Sequence, residues 1–306
     1  MLDSWEWVWR GAGVRPGDRA FFPFSFGPFL GFWAGFESAV RMGVRAIPGG
    51  GLSSEDRLRL LRRGEANVLC CTPTYALRLA EVGKGLGMDV ARLGVERLVV
   101  CGEPGGSVPA VRGCLEQAWR ATVHDHHGMT EVGPVTVSDA ANPDRLRIRH
   151  EAYLAEVVDA DGGPVAPGGT GELVLTTLGR AGSPLLRYRT GDLVRPVESG
   201  GEMMLEGGII GRVDDMVVVR GVNLYPSAVD AVIREAGHAG EYQVEVMAGE
   251  GMSEVEVTIE GGEELARQIE GALRSAFSLW IPVETVAAGV LPVHEVKARR
   301  WKVTKP

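Results

Sequence analysis

Apolar runs alternate with amphipathic stretches from the start of the chain. Residues 3–12 have helical spacing, with Trp5 and Trp9 one turn apart, and residues 13–17 form a Gly/Pro turn. A buried strand is predicted over residues 19–26, a helix over 28–42 and a second strand over 44–48. Ser53 or Ser54 can cap a helix running to about residue 63, with Glu55 and Asp56 favouring its N-terminal end. Strands over 67–72, 97–102 and 122–125 then alternate with helices over 73–84 and 109–120, the first opened by Pro73. This alternation predicts a parallel sheet with helices on both faces, whose ligands bind at the strand carboxyl ends.

The texture changes near residue 148. Short strands separated by Gly and Pro turns follow, and residues 148–211 read as a small β-barrel-like subdomain. A helix over 226–235, strands over 242–248 and 255–259, a helix over 263–277 and a strand over 283–287 then make a compact unit. The predicted fold is therefore α/β over residues 1–147, then the β-barrel-like subdomain, then a separate C-terminal α+β domain over 212–306.

Composition narrows the function classes. The 306 residues are 45% hydrophobic and 24% charged, with net charge −8 and pI about 5.4. No broad basic surface offers itself to nucleic acid. No apolar run approaches a membrane span and the N-terminus lacks the features of a signal peptide, so a cytoplasmic protein is expected. Cys70, Cys71 and Cys101 lie in apolar strand-like runs and none of the four cysteines forms a C-x-x-C pair, which suits reduced, buried thiols. The lysines are Lys84, Lys297, Lys302 and Lys305, gathered mostly at the C-terminal end.

Several segments could carry chemistry. The loop Pro48-Gly49-Gly50-Gly51-Leu52-Ser53-Ser54 follows a strand and precedes a helix, a place where backbone N–H groups can cradle phosphate. It lacks the Lys and Thr of a P-loop and reads as a turn with a helix cap. His124, His126 and His127, with Asp139 or His150, invite a zinc reading, but their spacing matches no common finger and adjacent histidines do not easily converge. Most telling are Tyr188-Arg189-Thr190-Gly191-Asp192 and Gly211-Arg212-Val213-Asp214-Asp215, two polar clusters set among β-branched runs, followed by Arg220-Gly221-Val222-Asn223-Leu224-Tyr225-Pro226.

With Cys101-Gly102-Glu103-Pro104, His127-Gly128-Met129-Thr130-Glu131 and Leu291-Pro292-Val293-His294-Glu295-Val296-Lys297, these strings resemble the acyl-adenylate-forming superfamily, in its phenylacetate–coenzyme A ligase branch. The resemblance implies that Gly102, Glu103 and Pro104 pack along adenine, and that His127 takes the place of the family's Tyr beside the base. It implies that Thr130 hydrogen-bonds the α-phosphate, Glu131 ligates Mg2+, Asp192 grips the ribose hydroxyls and Arg212 contacts ribose or phosphate. Asp214 would be the hinge, within residues 212–215, and Gly221 would let the pantetheine arm of coenzyme A pass close to backbone. Lys297, preceded by Val296 where the family has Gly, would bridge the substrate carboxylate and the α-phosphate. Phe24 and Phe29 align with the segment that lines the aryl pocket.

By the same resemblance the chain should activate a carboxylic acid, expected to be aryl, with MgATP and pass the acyl group to coenzyme A. The family's Ser/Thr/Gly-rich phosphate loop should lie just before residue 3, where Met1 stands. A fragment or shortened gene, a partner subunit or second copy supplying the loop, and a non-catalytic nucleotide- or acyl-adenylate-binding homologue are the three expectations this raises. Acid adenylation for a carrier protein would use the same residues.

Overall fold

In the computed structural model, which describes residues 1–27, 29–247, 253–292 and 300–304, five short strands form one parallel sheet. These are β1 (Arg19–Phe22), β2 (Arg45–Pro48), β3 (Val68–Cys71), β4 (Arg97–Val100) and β5 (Thr122–Asp125), in the order β2-β1-β3-β4-β5. Alternation along each strand sorts side chains to two faces. Ala20, Phe22, Val68, Cys70, Val99 and Cys101 meet α1 (Leu2–Gly11) and α2 (Leu30–Arg41). Phe21, Leu69, Cys71, Leu98, Val100 and Val123 meet α3 (Ser54–Arg63), α4 (Pro73–Gly85) and α5 (Pro109–Trp119). The predicted parallel sheet with helices on both faces is thus observed.

Local chemistry explains the boundaries. Ser53 caps α3 by accepting the Asp56 N–H at 3.1 Å, and Thr72 caps α4 by accepting that of Tyr75 at 3.2 Å. β1 stops at Phe22 rather than running to residue 26, because Pro23 has no N–H to extend the ladder. α1 and α2 cross closely at Gly35, where a Cβ would stand 3.1 Å from the Trp5 ring. The rings of Trp5 and Trp9 stack at 5.3 Å. Cys70, Cys71 and Cys101 are free and buried, while Cys114 on α5 is half-buried.

Antiparallel pairing begins before residue 148. A hairpin of β6 (Gly128–Met129) and β7 (Gly133–Pro134) leads to β8 (Thr136–Ser138) and β9 (Arg145–Ile148). The strands β10 (Tyr153–Val158), β11 (Gly171–Thr177) and β12 (Tyr188–Val194) pair antiparallel in that order. The next two, β13 (Pro196–Ser199) and β14 (Glu202–Glu206), close a second sheet of order β13-β14-β9-β8. Ile148, Tyr153, Leu173, Leu175, Val194 and Leu205 fill the core of this β region.

The chain divides into two compact units, Met1–Ile210 and Gly211–Pro306. The second comprises β15 (Gly211–Arg212), the hairpin β16 (Val217–Val219) and β17 (Val222–Leu224), α6 (Pro226–Glu235), β18 (Tyr242–Met247), β19 (Glu254–Glu260), α7 (Glu263–Phe277), β20 (Val283–Val286) and β21 (Trp301–Thr304). Its mixed sheet has order β20-β19-β18-β21, and Val244, Val257, Ile259, Ile233, Ile269 and Leu273 make its core. Among the described residues no helix is long and apolar enough to cross a membrane.

Candidate active site

The carboxyl ends of β3, β4 and β5 are clasped together. Past β4 the chain turns through Gly102, at φ +90°, and Glu103 reaches across to α4, its carboxylate accepting the Thr74 N–H at 2.7 Å. An acid there also meets the positive end of the helix. Gly106 lies so close to β5 that a Cβ would stand 2.5 Å from Val100 Cγ2 and 2.6 Å from Asp125 Cβ. Ser107 then donates to Asp125 Oδ2 at 2.8 Å, and the Asp125 N–H is taken by Ser138 Oγ at 2.7 Å. Burial pushes the Asp125 carboxyl above its ordinary range, with the Ser107 hydroxyl pulling against it.

The two histidines leaving β5 diverge. His126 is 5% exposed and meets the Trp5 ring edge-on at 4.4 Å. Burial works against its charged form, and Cys101 and Asp125 beside it outweigh that, so His126 titrates above its ordinary range. His127 turns the other way, its Nε2 lying 2.9 Å from Asp192 Oδ2. The His127 backbone is pinned on both sides: its N–H donates to Thr136 Oγ1 at 2.9 Å and its carbonyl accepts the Val135 N–H at 2.8 Å. The hairpin crosses at Gly128, where a Cβ would be 2.8 Å from the Gly133 carbonyl oxygen. Thr130 and Glu131 stand exposed at its tip, and Arg180 donates to the Glu131 carbonyl.

Asp192 is aimed by a bulge. Glu172 pairs with Leu193 and Val174 with Arg189, so Thr190, Gly191 and Asp192 of β12 together oppose Leu173. Gly191 supplies the φ of +77° that the bulge needs. Thr190 Oγ1 donates to the Leu173 carbonyl at 2.8 Å and accepts the Asp192 N–H at 3.1 Å. Glu172, 7% exposed, accepts the Gly191 N–H at 3.1 Å and the guanidinium of Arg189. The polar string of residues 188–192 is therefore a bulged strand segment that presents one carboxylate to His127.

The expected nucleotide residues of the first unit, Gly102, Glu103, Pro104, His127, Thr130, Glu131 and Asp192, lie at the strand carboxyl ends and the adjoining β region. Phe24 is 7% exposed, packed at 4.3 Å from Phe32, whereas Phe29 is 54% exposed and 5.5 Å from the same ring. The two do not touch each other in one pocket wall; Phe32 joins them. In the glycine-rich loop, the Gly49 N–H donates to the Phe22 carbonyl at 2.8 Å and that of Gly51 to Ser25 Oγ at 3.2 Å. Among the described residues no group of three or more His, Cys, Asp or Glu side chains could hold a metal ion. Glu131 still suits Mg2+, a hard cation often held by one carboxylate with substrate phosphates, because its carboxylate is exposed at the hairpin tip. Sequence reasoning missed Ser107, Thr136, Ser138 and Glu172; of these only Glu172, a carboxylate within an apolar strand, left a signal.

In the second unit, Arg212 donates through Nε to Asp214 Oδ1 at 2.8 Å, and this bond holds the exposed Asp214 carboxyl below its ordinary range. Arg220 and Gly221, with φ of +49° and +80°, form the tight turn between β16 and β17, and a Cβ on Gly221 would meet nothing within 4 Å. Buried Arg300 reaches Glu241 at 3.2 Å and Asp230 at 3.9 Å, with its guanidinium 4.8 Å from the centre of the Tyr242 ring. Lys297 lies outside the described residues.

The chain is similar to known proteins over most of its length. The AMP-binding enzyme family profile matches residues 3–180, and that of the AMP-binding enzyme C-terminal domain matches residues 221–302. A phenylacetate-coenzyme A ligase of Thermus thermophilus is 33% identical over 84% of this chain and 59% of its own length. One from Escherichia coli is 30% identical over 98% of this chain and 73% of its own. The chain thus spans somewhat over half to nearly three quarters of the length of these curated relatives. The crystal structure of a 2-hydroxyisobutyryl-CoA ligase in complex with 2-HIB-AMP is 27% identical and superposes with a TM-score of 0.92, covering 99% of this chain and 69% of that one. Sequence profile, curated relatives and fold converge, and the chain belongs to the AMP-binding enzyme family.

Proposed function

We propose that this chain carries the nucleotide- and acyl-handling part of an AMP-forming acid–coenzyme A ligase acting on an aryl, phenylacetate-like carboxylic acid. The observation that supports this reading most is the Asp192 carboxylate, lifted by a bulge and held against the turn that follows β5. A buried carboxylate at that end of the sheet suits a vicinal diol, and ribose offers one. Gly102, Glu103 and Pro104 would pack along adenine beside the His127 ring, and the Thr130 hydroxyl would donate to the α-phosphate. Glu131 would hold Mg2+, which when bound would offset the charge of the departing pyrophosphate.

In the first half-reaction a carboxylate oxygen of the acid attacks the α-phosphorus and the bond to the β-phosphate breaks, releasing pyrophosphate. The Lys297 ammonium would offset the repulsion between the two anions, and Arg212 would contact ribose or phosphate. In the second, the coenzyme A sulfur, having lost its proton, attacks the acyl carbon and AMP departs with the electron pair. Gly221, open on the side where a Cβ would project, fits a pantetheine arm passing the backbone. Asp214 would be the pivot between the two half-reactions. Phe24 and Phe29, through Phe32, would border the acid.

Acid-dependent ATP–pyrophosphate exchange against aryl and short-chain acids tests the reading. Exchange with one acid class supports it and names the substrate. AMP binding without exchange for any acid would leave a nucleotide-binding homologue instead. Lys297→Ala should cut adenylation about 100-fold or more while sparing acyl transfer from a supplied acyl-adenylate; equal loss of both steps would remove Lys297 from its role.

A further inference from the structure

His127 and Asp192 come from segments 65 residues apart, and their side chains are only 10% and 8% exposed. Each is held by its own backbone: His127 through Thr136 and Val135, Asp192 through the Thr190 hydroxyl. The pair is therefore placed before any ligand arrives.

The ring's proton can be assigned. His127 Nδ1 is buried with no hydrogen-bond partner among the described residues. A proton there would strand a buried N–H donor, which is rarer and costlier than an unmet lone pair. The neutral ring therefore carries its proton on Nε2 and donates it to Asp192 Oδ2. A carboxylate has about four acceptor sites, so accepting this N–H is compatible with accepting the hydroxyls of a ribose. The edge of the imidazole serves Asp192.

The geometry points to His127 as a positioning residue: its Nε2–H fixes the Asp192 carboxylate in the orientation that receives a ribose diol, and so sets the preference for ribonucleotides over 2′-deoxyribonucleotides. This rests on the nucleotide-binding reading above, and the experiment separates the two.

The readout is the ratio of dissociation constants for 2′-deoxyadenosine monophosphate and AMP, measured by calorimetry on the full chain. Wild type should favour AMP about tenfold or more, the worth of a hydrogen bond to a charged group. Asp192→Asn should collapse most of that ratio. His127→Phe keeps an aromatic ring without the donor and should lower the ratio severalfold. His127→Gln, whose amide can reach the Nε2 position, should restore it, whereas the shorter His127→Asn should not. The Gln and Asn pair reads the effect even where the Phe variant does not fold. A His127 variant set that weakens both nucleotides by the same factor would overturn the positioning role while leaving the wild-type preference, and with it the nucleotide site, intact. A wild-type chain that binds neither nucleotide would overturn both readings.

Discussion

Thr190→Val isolates the polar contribution of the bulge that presents Asp192. Thr190 is 5% exposed, and valine replaces its hydroxyl by a methyl of nearly equal volume, so packing is kept. What is lost is the bond to the Leu173 carbonyl at 2.8 Å and the bond from the Asp192 N–H at 3.1 Å. A hydrogen bond is worth about 1 kcal/mol net, and a buried partner left unmet costs about 1–3 kcal/mol, so the variant should lose about 2–4 kcal/mol. In a unit of this size each kcal/mol lowers the melting temperature by about 2–4 °C, which gives a fall on the order of 10 °C. Urea unfolding followed by circular dichroism should show the loss as a lower midpoint with an unchanged slope, in the transition of Met1–Ile210. A variant within about 0.5 kcal/mol of wild type would refute the idea that this hydroxyl ties the bulge together.

Two further substitutions test buried charge. The Asp125 carboxyl, raised by burial, binds its proton more tightly when folded, so its contribution is full below the ordinary 3.8 and is lost as pH rises through the folded value. Asp125→Asn keeps an acceptor for Ser107 without the charge, and its stability relative to wild type should rise as pH increases from about 4 towards 7; a difference constant with pH would contradict this. Arg300→Ala takes the guanidinium from Glu241, which is 5% exposed, while Asp230 keeps Arg234 at 3.4 Å and the Tyr242 hydroxyl at 2.7 Å; it should destabilise the second unit by about 3 kcal/mol in urea, with partial recovery in Arg300→Lys. No loss in the alanine variant would mean that water reaches the Glu241 carboxylate.

The parallel sheet was legible because its signals are local. The runs of β1 to β4 are followed within two residues by Pro, Gly or Thr, and Ser53 and Thr72–Pro73 announce the helices that follow. The strands between Gly128 and Ser138 were not, because two or three residues cannot display a period of two. The motif strings named the site's residues but not their meeting. The contact between His127 and Asp192 depends on a two-residue register slip in β12, and nothing in the local composition of residues 188–192 reports which strand they oppose. Phe24 is expected at the aryl pocket by the resemblance, and Phe22, Phe26 and Phe32 pack around it. Aromatic clustering alone does not tell a wall from a core.

The distribution of thiols has a practical consequence. Cys70 and Cys71 in β3 and Cys101 beyond β4 are buried, Cys114 on α5 is half-buried, and residues 211–306 contain no cysteine. A thiol reagent can reach the three strand cysteines only when the sheet separates, so their labelling rate is a clock for opening of the first unit, to which the second is silent. The protein thus supplies native-state access to the stability of its sheet with no engineered probe, and effects of Thr190→Val or Asp125→Asn can be read there apart from anything that happens in the C-terminal unit.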